Sequence, residues 1–229
     1  MSLHGLAFQD APGNPWFSWD YIQSNSTAIL DALGEHVTLT AEAVGLAAVI
    51  AIPLGVAAYW FRRLSGPILA ISGVLYTIPS LALLAFVAPV VGPTRSTSVL
   101  IGLVLYALLL IVRNTLTGLN QVPSEAQDAA TGMGYGRFGR LLRVDLPLAL
   151  PGILTGLRLA TVSTVALVTV GALIGKGGLG NLILGGFNSN FHKAEIATGT
   201  ILCVLLALVL DLLLVGVGRL LTPWARAAR

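Results

Sequence analysis

Asp128-Ala-Ala-Thr-Gly-Met-Gly134, nine further residues, and then Val144-Asp-Leu-Pro147 form a polar island in an otherwise apolar chain. The island, residues 120–146, separates two apolar runs, Thr97 to Leu119 and Leu148 to Ile174. Each run is long enough to cross a bilayer as a helix, which takes about 20 mostly apolar residues. Three more such runs are present, Val37 to Phe61, Pro67 to Val91 and Ala194 to Leu221. None alternates with period two, which argues against the strands of a membrane barrel. Pro53, Pro79 and Pro89 fall inside the first two runs in chain order. Membrane helices tolerate proline where neighbours or water satisfy the freed carbonyls. The expected fold is an all-α integral membrane protein of about five transmembrane helices, with short helices in the 120–146 loop.

The composition demands the same solvent. Of 229 residues, 55% are hydrophobic and only 10% charged, with a mean hydropathy of +0.86. A soluble domain carries about 25% charged residues, and so few charges leave a body of this size without a water-compatible surface. The single cysteine, Cys203, excludes an intrachain disulfide and a thiol-built metal cluster. It lies within an apolar run and reads as a small buried hydrophobe. The three histidines, His4, His36 and His192, are scattered, and each is expected at a surface or an interface. Gly134-Tyr-Gly-Arg-Phe-Gly139 and Gly175-Lys-Gly-Gly-Leu-Gly180 match a dinucleotide-binding spacing. Neither follows a strand in a βαβ unit, so nucleotide binding by this chain is not expected. Nothing points to a metal, to nucleic acid or to catalysis by the chain itself.

The basic residues orient the spans. Arg62 and Arg63, then Arg137, Arg140 and Arg143, then Arg226 and Arg229 fall on one side. The opposite side holds Arg95, Lys176, Lys193 and an N-terminal stretch without Lys or Arg. Positive residues mark the cytoplasmic side, so the N-terminus is expected outside and the C-terminus inside. Residues 1–35 form an extracytoplasmic segment that does not read as a signal peptide. Its Trp16, Phe17, Trp19 and Tyr21 suit a membrane interface. Residues 36–222 are the membrane domain and 223–229 a cytoplasmic tail.

The 120–146 loop resembles the cytoplasmic Glu-Ala-Ala motif of ABC importer permeases: Glu-Ala-Ala, three residues, Gly, nine residues, Ile-x-Leu-Pro. Asp128 stands for Glu and Val144 for Ile, and the spacing matches throughout. Tyr76-Thr-Ile-Pro-Ser-Leu-Ala-Leu-Leu-Ala85, Ile111-Val-Arg-Asn-Thr115 and Ala172-Leu-Ile-Gly-Lys-Gly-Gly-Leu-Gly180 are similar to segments of the osmoprotectant branch, which carries glycine betaine, carnitine and choline. Methionine-type and sulfonate-type permeases have related stretches. The resemblance implies the methionine-importer-like type I fold in a prokaryotic plasma membrane. It implies a motif of two short helices, joined at Gly134, that docks on a separate ATPase through Asp128, Ala129, Ala130, Gly134, Leu146 and Pro147. ATP and magnesium then sit on that partner and no cofactor on this chain. A second permease copy or paralogue completes the path, and an extracytoplasmic binding protein delivers the solute. A passive channel or a membrane sensor are the rival classes.

The path is sketched by polar residues at membrane depth. Thr161 and Thr164 share a helical face, and Thr77, Pro79, Ser80 and Asn114 add to them. Gly177, Gly178, Leu179 and Gly180 are expected to shape an outer gate. No aromatic cage for a quaternary ammonium group is legible in the spans. Arg113, Arg158 and Asp211 are charges within apolar runs, which tend to face a bundle interior. Arg158 and Asp211 lie at similar depth, roughly 15 Å from the cytoplasmic ends of their runs, where a mutual ion pair would remove an unpaired charge.

Overall fold

In the computed structural model, which describes residues 13–92 and 96–226, every regular element is helical. His4, Arg95 and Arg229 lie outside the described residues. A short helix α1 (Trp19–Ser24) starts where the Ser18 hydroxyl accepts a hydrogen bond from the Tyr21 amide at 3.2 Å. The long α2 (Ser26–Trp60) follows, then α3 (Arg62–Thr77), α4 (Ser80–Val91) and α5 (Ser96–Asn120). Two short helices, α6 (Ser124–Gly132) and α7 (Arg137–Arg140), occupy the polar island. A wide turn over Leu141–Asp145 leads into α8 (Leu146–Val168), which tightens over Thr169–Ile174. Then follow α9 (Leu179–Asn188), α10 (Lys193–Leu221) and a tight turn over Pro223–Arg226. Among the described residues, four helical stretches are long and apolar enough to cross a membrane: α2, α5, Arg137–Ile174 and α10. The α3–α4 pair supplies a fifth as a bent span.

That bent span corrects the expectation of one continuous helix from Pro67 to Val91. α3 and α4 meet at 93°. Proline disfavours helical geometry in the residue before it and has no N–H to donate. Ile78 accordingly takes φ −63°, ψ 125°, and Pro79 continues extended at φ −56°, ψ 132°. The Ile78 carbonyl freed by the break accepts a hydrogen bond from the Tyr106 hydroxyl on α5. Pro53 and Pro89, by contrast, stay within unbroken α2 and α4. The first span differs at its N-terminal end: α2 starts at Ser26, so its helix runs on beyond the apolar run that begins at Val37.

The core lies between α2, α5 and α8. Ala47, Ala51, Ala107 and Ala160 are all but inaccessible and pack with Ile111 and Val112. Lower in the bundle a Cβ on Gly152 would stand 2.8 Å from the Gly118 Cα. Lipid tails are as apolar as leucine, so membrane helices gain from close backbone approach, which small residues permit. α10 covers one flank and leaves Ile201, Leu205, Leu208 and Leu212 at least half exposed, as a lipid-facing surface requires.

His36 corrects a second expectation. It is wholly buried, not at a surface. Its Nδ1 accepts from the Leu179 amide at 3.2 Å and its Nε2 lies 3.0 Å from the Val165 carbonyl. The ring is therefore in the tautomer with the proton on Nε2, and both nitrogens are used. His192 is partly exposed and sits 3.3 Å from Glu195.

Candidate functional site

At the end of the bundle carrying Arg62 and Arg63, the polar island folds as a helix pair outside the core. Pro123 opens α6, and Glu125 lies in its first turn, where an acidic group complements the helix dipole. Asp128 and Ala129 are exposed while Ala130 is buried. α6 ends as Gly134 takes φ +83°, with the Tyr135 amide donating to the Ala130 carbonyl at 3.1 Å. Glycine adopts that left-handed geometry without penalty. Leu146 and Pro147, half-buried, begin α8. Asp145 just before them is fully buried, and its carboxylate accepts from Arg140 Nε at 3.3 Å.

The helix pair is tied to the end of α2. Gln127 Nε2 donates to the Tyr59 hydroxyl at 3.1 Å, and Arg137 Nη2 to the Trp60 carbonyl at 2.9 Å. The Arg137 guanidinium also lies 4.8 Å from the Trp60 ring centre, within cation–π range. Met133, Phe138 and Leu142 stand exposed on this surface. Sequence reasoning did not single out Tyr59, Trp60 or Arg137 as ties. The aromatic pair beside Arg62 and Arg63 was the available signal.

Midway along the bundle the α3–α4 break opens a cleft of about 410 Å³. Thr77, Pro79 and Ser80 line it together with Tyr76, Ile78, Tyr106, Ser163, Ala166 and Leu167. The Thr77 hydroxyl donates to the Val74 carbonyl at 2.8 Å and is exposed. The Tyr76 and Tyr106 rings meet edge to face, with centres 5.7 Å apart and planes at 68°. A smaller void of about 30 Å³ lies against Ser80, Tyr106, Leu167 and Gly171.

The other path candidates are not gathered there. Asn114 Nδ2 donates back to the Leu110 carbonyl at 2.7 Å, and its Cβ lies where Gly156 packs. Thr161, buried, donates to the Leu157 carbonyl at 2.8 Å, and Thr164 is buried against the core. Thr161 borders a separate apolar groove between α2 and α10, with Val37 and Leu213.

At the opposite end Gly177, Gly178, Leu179 and Gly180 are all buried and form a tight turn. The Gly180 amide donates to the Gly177 carbonyl at 2.8 Å, and His36 caps Leu179 from α2. α9 then packs on α10, with Gly186 against Ile196. The intramembrane charges divide. Arg158 and Asp211 form a two-pronged ion pair with both contacts at 2.8 Å, the geometry in which guanidinium and carboxylate bind most strongly. Arg113 remains exposed.

Residues 47–227 match the family model described as the binding-protein-dependent transport system inner membrane component. The choline transport system permease protein OpuBD of Bacillus subtilis is 38% identical over 203 residues, covering 89% of either chain. The glycine betaine/carnitine/choline transport system permease protein OpuCD of the same species is 37% identical over 203 residues, 89% of this chain and 88% of that one. The osmoprotectant import permease protein OsmW of Salmonella typhimurium is 37% identical over 210 residues, 89% of this chain and 96% of that one. An inward-facing structure of the MetNI methionine ABC transporter superposes with a TM-score of 0.75 at 22% identity, covering 87% of this chain and 99% of that one.

Proposed function

Since the chain belongs to the binding-protein-dependent transport system inner membrane component family, we propose that it is the membrane-spanning permease of an ATP-driven importer for small quaternary ammonium osmoprotectants such as choline, glycine betaine and carnitine. The observation that carries the substrate class is the set of relatives, named for choline, for glycine betaine, carnitine and choline, or for osmoprotectants, and aligned along nearly the whole chain. The likeness to the methionine transporter, at 22% identity, speaks for the fold.

The geometry fits the assignment. α6 and α7 present Asp128, Ala129 and the turn at Gly134 at the positively charged, cytoplasmic end, where a separate ATPase docks. That partner holds the ATP and magnesium, and this chain contributes no catalytic group. By the positive-inside tendency, Arg62, Arg63 and the arginines of the 120–146 loop support a C-terminus inside and an N-terminus outside. The turn at Gly177 to Gly180 faces the extracytoplasmic binding protein. Thr77, Pro79 and Ser80 at the helix break border the solute path, since broken membrane helices are tolerated where they line a cavity. One bundle of this size closes the path only with a second permease copy or a paralogue. ATP binding draws the ATPases together, shifts the docked α6–α7 pair and opens the path outward, and hydrolysis resets it.

Reconstitution with the ATPase and the binding protein tests the proposal. ATP-dependent accumulation of labelled choline, glycine betaine or carnitine in liposomes is expected. Downhill flux without ATP would indicate a channel, and absence of flux for all three solutes would refute the assignment.

A further inference from the structure

From the cleft at the α3–α4 break we infer that Tyr76 and Tyr106 form a low-affinity subsite for the quaternary ammonium head of the solute within the membrane domain. The inference rests on reading that cleft as part of the solute path.

Three observations converge. The two rings are non-parallel, at 68° with centres 5.7 Å apart, so they form a corner and not a stack. Both line a cleft of about 410 Å³, a volume within the range of roughly 300–1,000 Å³ typical of small-ligand pockets. Tyr76 is 38% exposed and free to meet a solute, whereas Tyr106 is 8% exposed and fixed by its hydroxyl bond to the Ile78 carbonyl. One wall is therefore anchored and the other accessible.

The remaining lining suits a methylated cation. Ile78, Pro79, Ala166 and Leu167 provide apolar contact, while the neighbouring Ser80 and Ser163 are small and uncharged. Among the described residues, no carboxylate lines the cleft. A bare ammonium would need hydrogen-bond acceptors to replace its water, but a trimethylated one has no N–H and is attracted by the negative face of an aromatic ring. Two tyrosines, without a full cage or a counter-charge, give weak and rapidly reversible binding. A transit site requires that property, because a tightly held solute would not leave. Choline, glycine betaine and carnitine share only the trimethylammonium group, so a subsite that reads this group alone would serve all three.

The test uses the full-length permease in lipid nanodiscs, with choline and its uncharged isostere 3,3-dimethylbutan-1-ol as probes. Saturation-transfer NMR on the methyl protons reads contact with the protein. Choline is expected to bind in the millimolar range or weaker, and the isostere about tenfold more weakly, from the usual worth of a partly desolvated cation–π contact. Tyr76→Phe keeps the ring and should keep choline binding. Tyr76→Leu keeps apolar bulk, loses the π face and should lose most of the choline signal. Equal binding of choline and the isostere, or choline binding unchanged in Tyr76→Leu, overturns the subsite, and so does an absence of choline signal in the parent protein. ATP-driven uptake, measured separately in the reconstituted complex, keeps the two readings apart. Uptake with no choline contact at Tyr76 sinks the subsite and spares the permease assignment. Choline contact without uptake does the reverse.

Discussion

At Gly178 an added methyl group should meet two obstacles at once, a left-handed backbone and a tightly packed neighbour. Its φ of 52° and ψ of −123° are those of the first central residue of a type II′ turn, where glycine is the rule. The turn closes through the Gly180 amide and the Gly177 carbonyl at 2.8 Å. A Cβ built on Gly178 would lie 2.7 Å from the His36 Cβ and 2.8 Å from its Cα and N. Those atoms belong to the body of α2, so no side-chain rotation relieves the overlap. Holding a non-glycine residue in this conformation costs about 1–3 kcal/mol. Forcing extra atoms against packed backbone adds about 1–3 kcal/mol. If the turn retreats instead, the Leu179–His36 hydrogen bond is lost, worth about 1 kcal/mol. Gly178→Val should therefore destabilise by about 2–6 kcal/mol, a large share of the roughly 5–15 kcal/mol that holds a typical domain folded. Equilibrium unfolding in mixed micelles reads the loss, with Gly216→Ala as the control. A Cβ at Gly216 meets nothing within 4 Å, and that change should be neutral or slightly stabilising. In the reconstituted complex the Gly178 variant should still bind the ATPase but lose most uptake at saturating binding protein. Unfolding within about 1 kcal/mol of the parent, together with unchanged uptake, would refute both the packing argument and the gate assignment.

Gly134→Val should uncouple ATP hydrolysis from uptake while the protein stays in the membrane. A Cβ there meets nothing within 4 Å, so the effect comes from the φ of +83°, and unchanged transport with unchanged ATPase stimulation would count against docking at this turn. With Cys203 replaced, cysteines at Arg62 and Gly139 should be shielded from an impermeant thiol reagent added outside and one at Ser189 labelled; outside labelling at Gly139 would reverse the topology. Asp211→Ala should cost about 2–4 kcal/mol by stranding Arg158 in the membrane, and Asp211→Ala with Arg158→Leu should recover much of that. Additive losses in the double-mutant cycle would show that the two-pronged pair contributes no coupling.

The spans and the polar loop were legible because lipid forces long apolar runs, and the Asp128 to Pro147 spacing fell in the loop where topology needed it. The Arg158–Asp211 pair was legible on the same ground: two costly charges at one depth have reason to meet. The break at Pro79 was only half legible. Pro53 follows an isoleucine as Pro79 does, yet α2 runs through it unbroken. The difference between the two sites is tertiary, since Tyr106, distant in sequence, supplies a hydroxyl to the Ile78 carbonyl. His36 was misread for a related reason. A polar residue at the edge of an apolar run looks interfacial, and its partners Val165 and Leu179 lie more than a hundred residues away. The Tyr76–Tyr106 corner escaped because neither ring shares a helix with the other.

α2 bears both ends of the machinery. Near its N-terminal end His36 holds the turn at Gly177 to Gly180, and at the opposite end Tyr59 and Trp60 hold α6 and α7. The two attachments are about 36 Å apart along one helix. Between them Ala47, Ala51 and Gly55 seat α2 against α5 and α8, with Gly55 pressed on Thr115. Small-residue seams of this kind hold backbones in close contact and offer few alternative seatings, so α2, α5 and α8 are expected to move as one body when the ATPase pulls on α6 and α7. The α3–α4 pair has a break in its backbone at Ile78 and Pro79, and that break is where the body is expected to shift against the rest. Tyr76 sits on the breaking side and Tyr106 on the rigid side. On the proposed importer reading, the angle between the two rings is the quantity that alternating access is expected to change, and that change would couple the grip on the solute to the state of the ATPase.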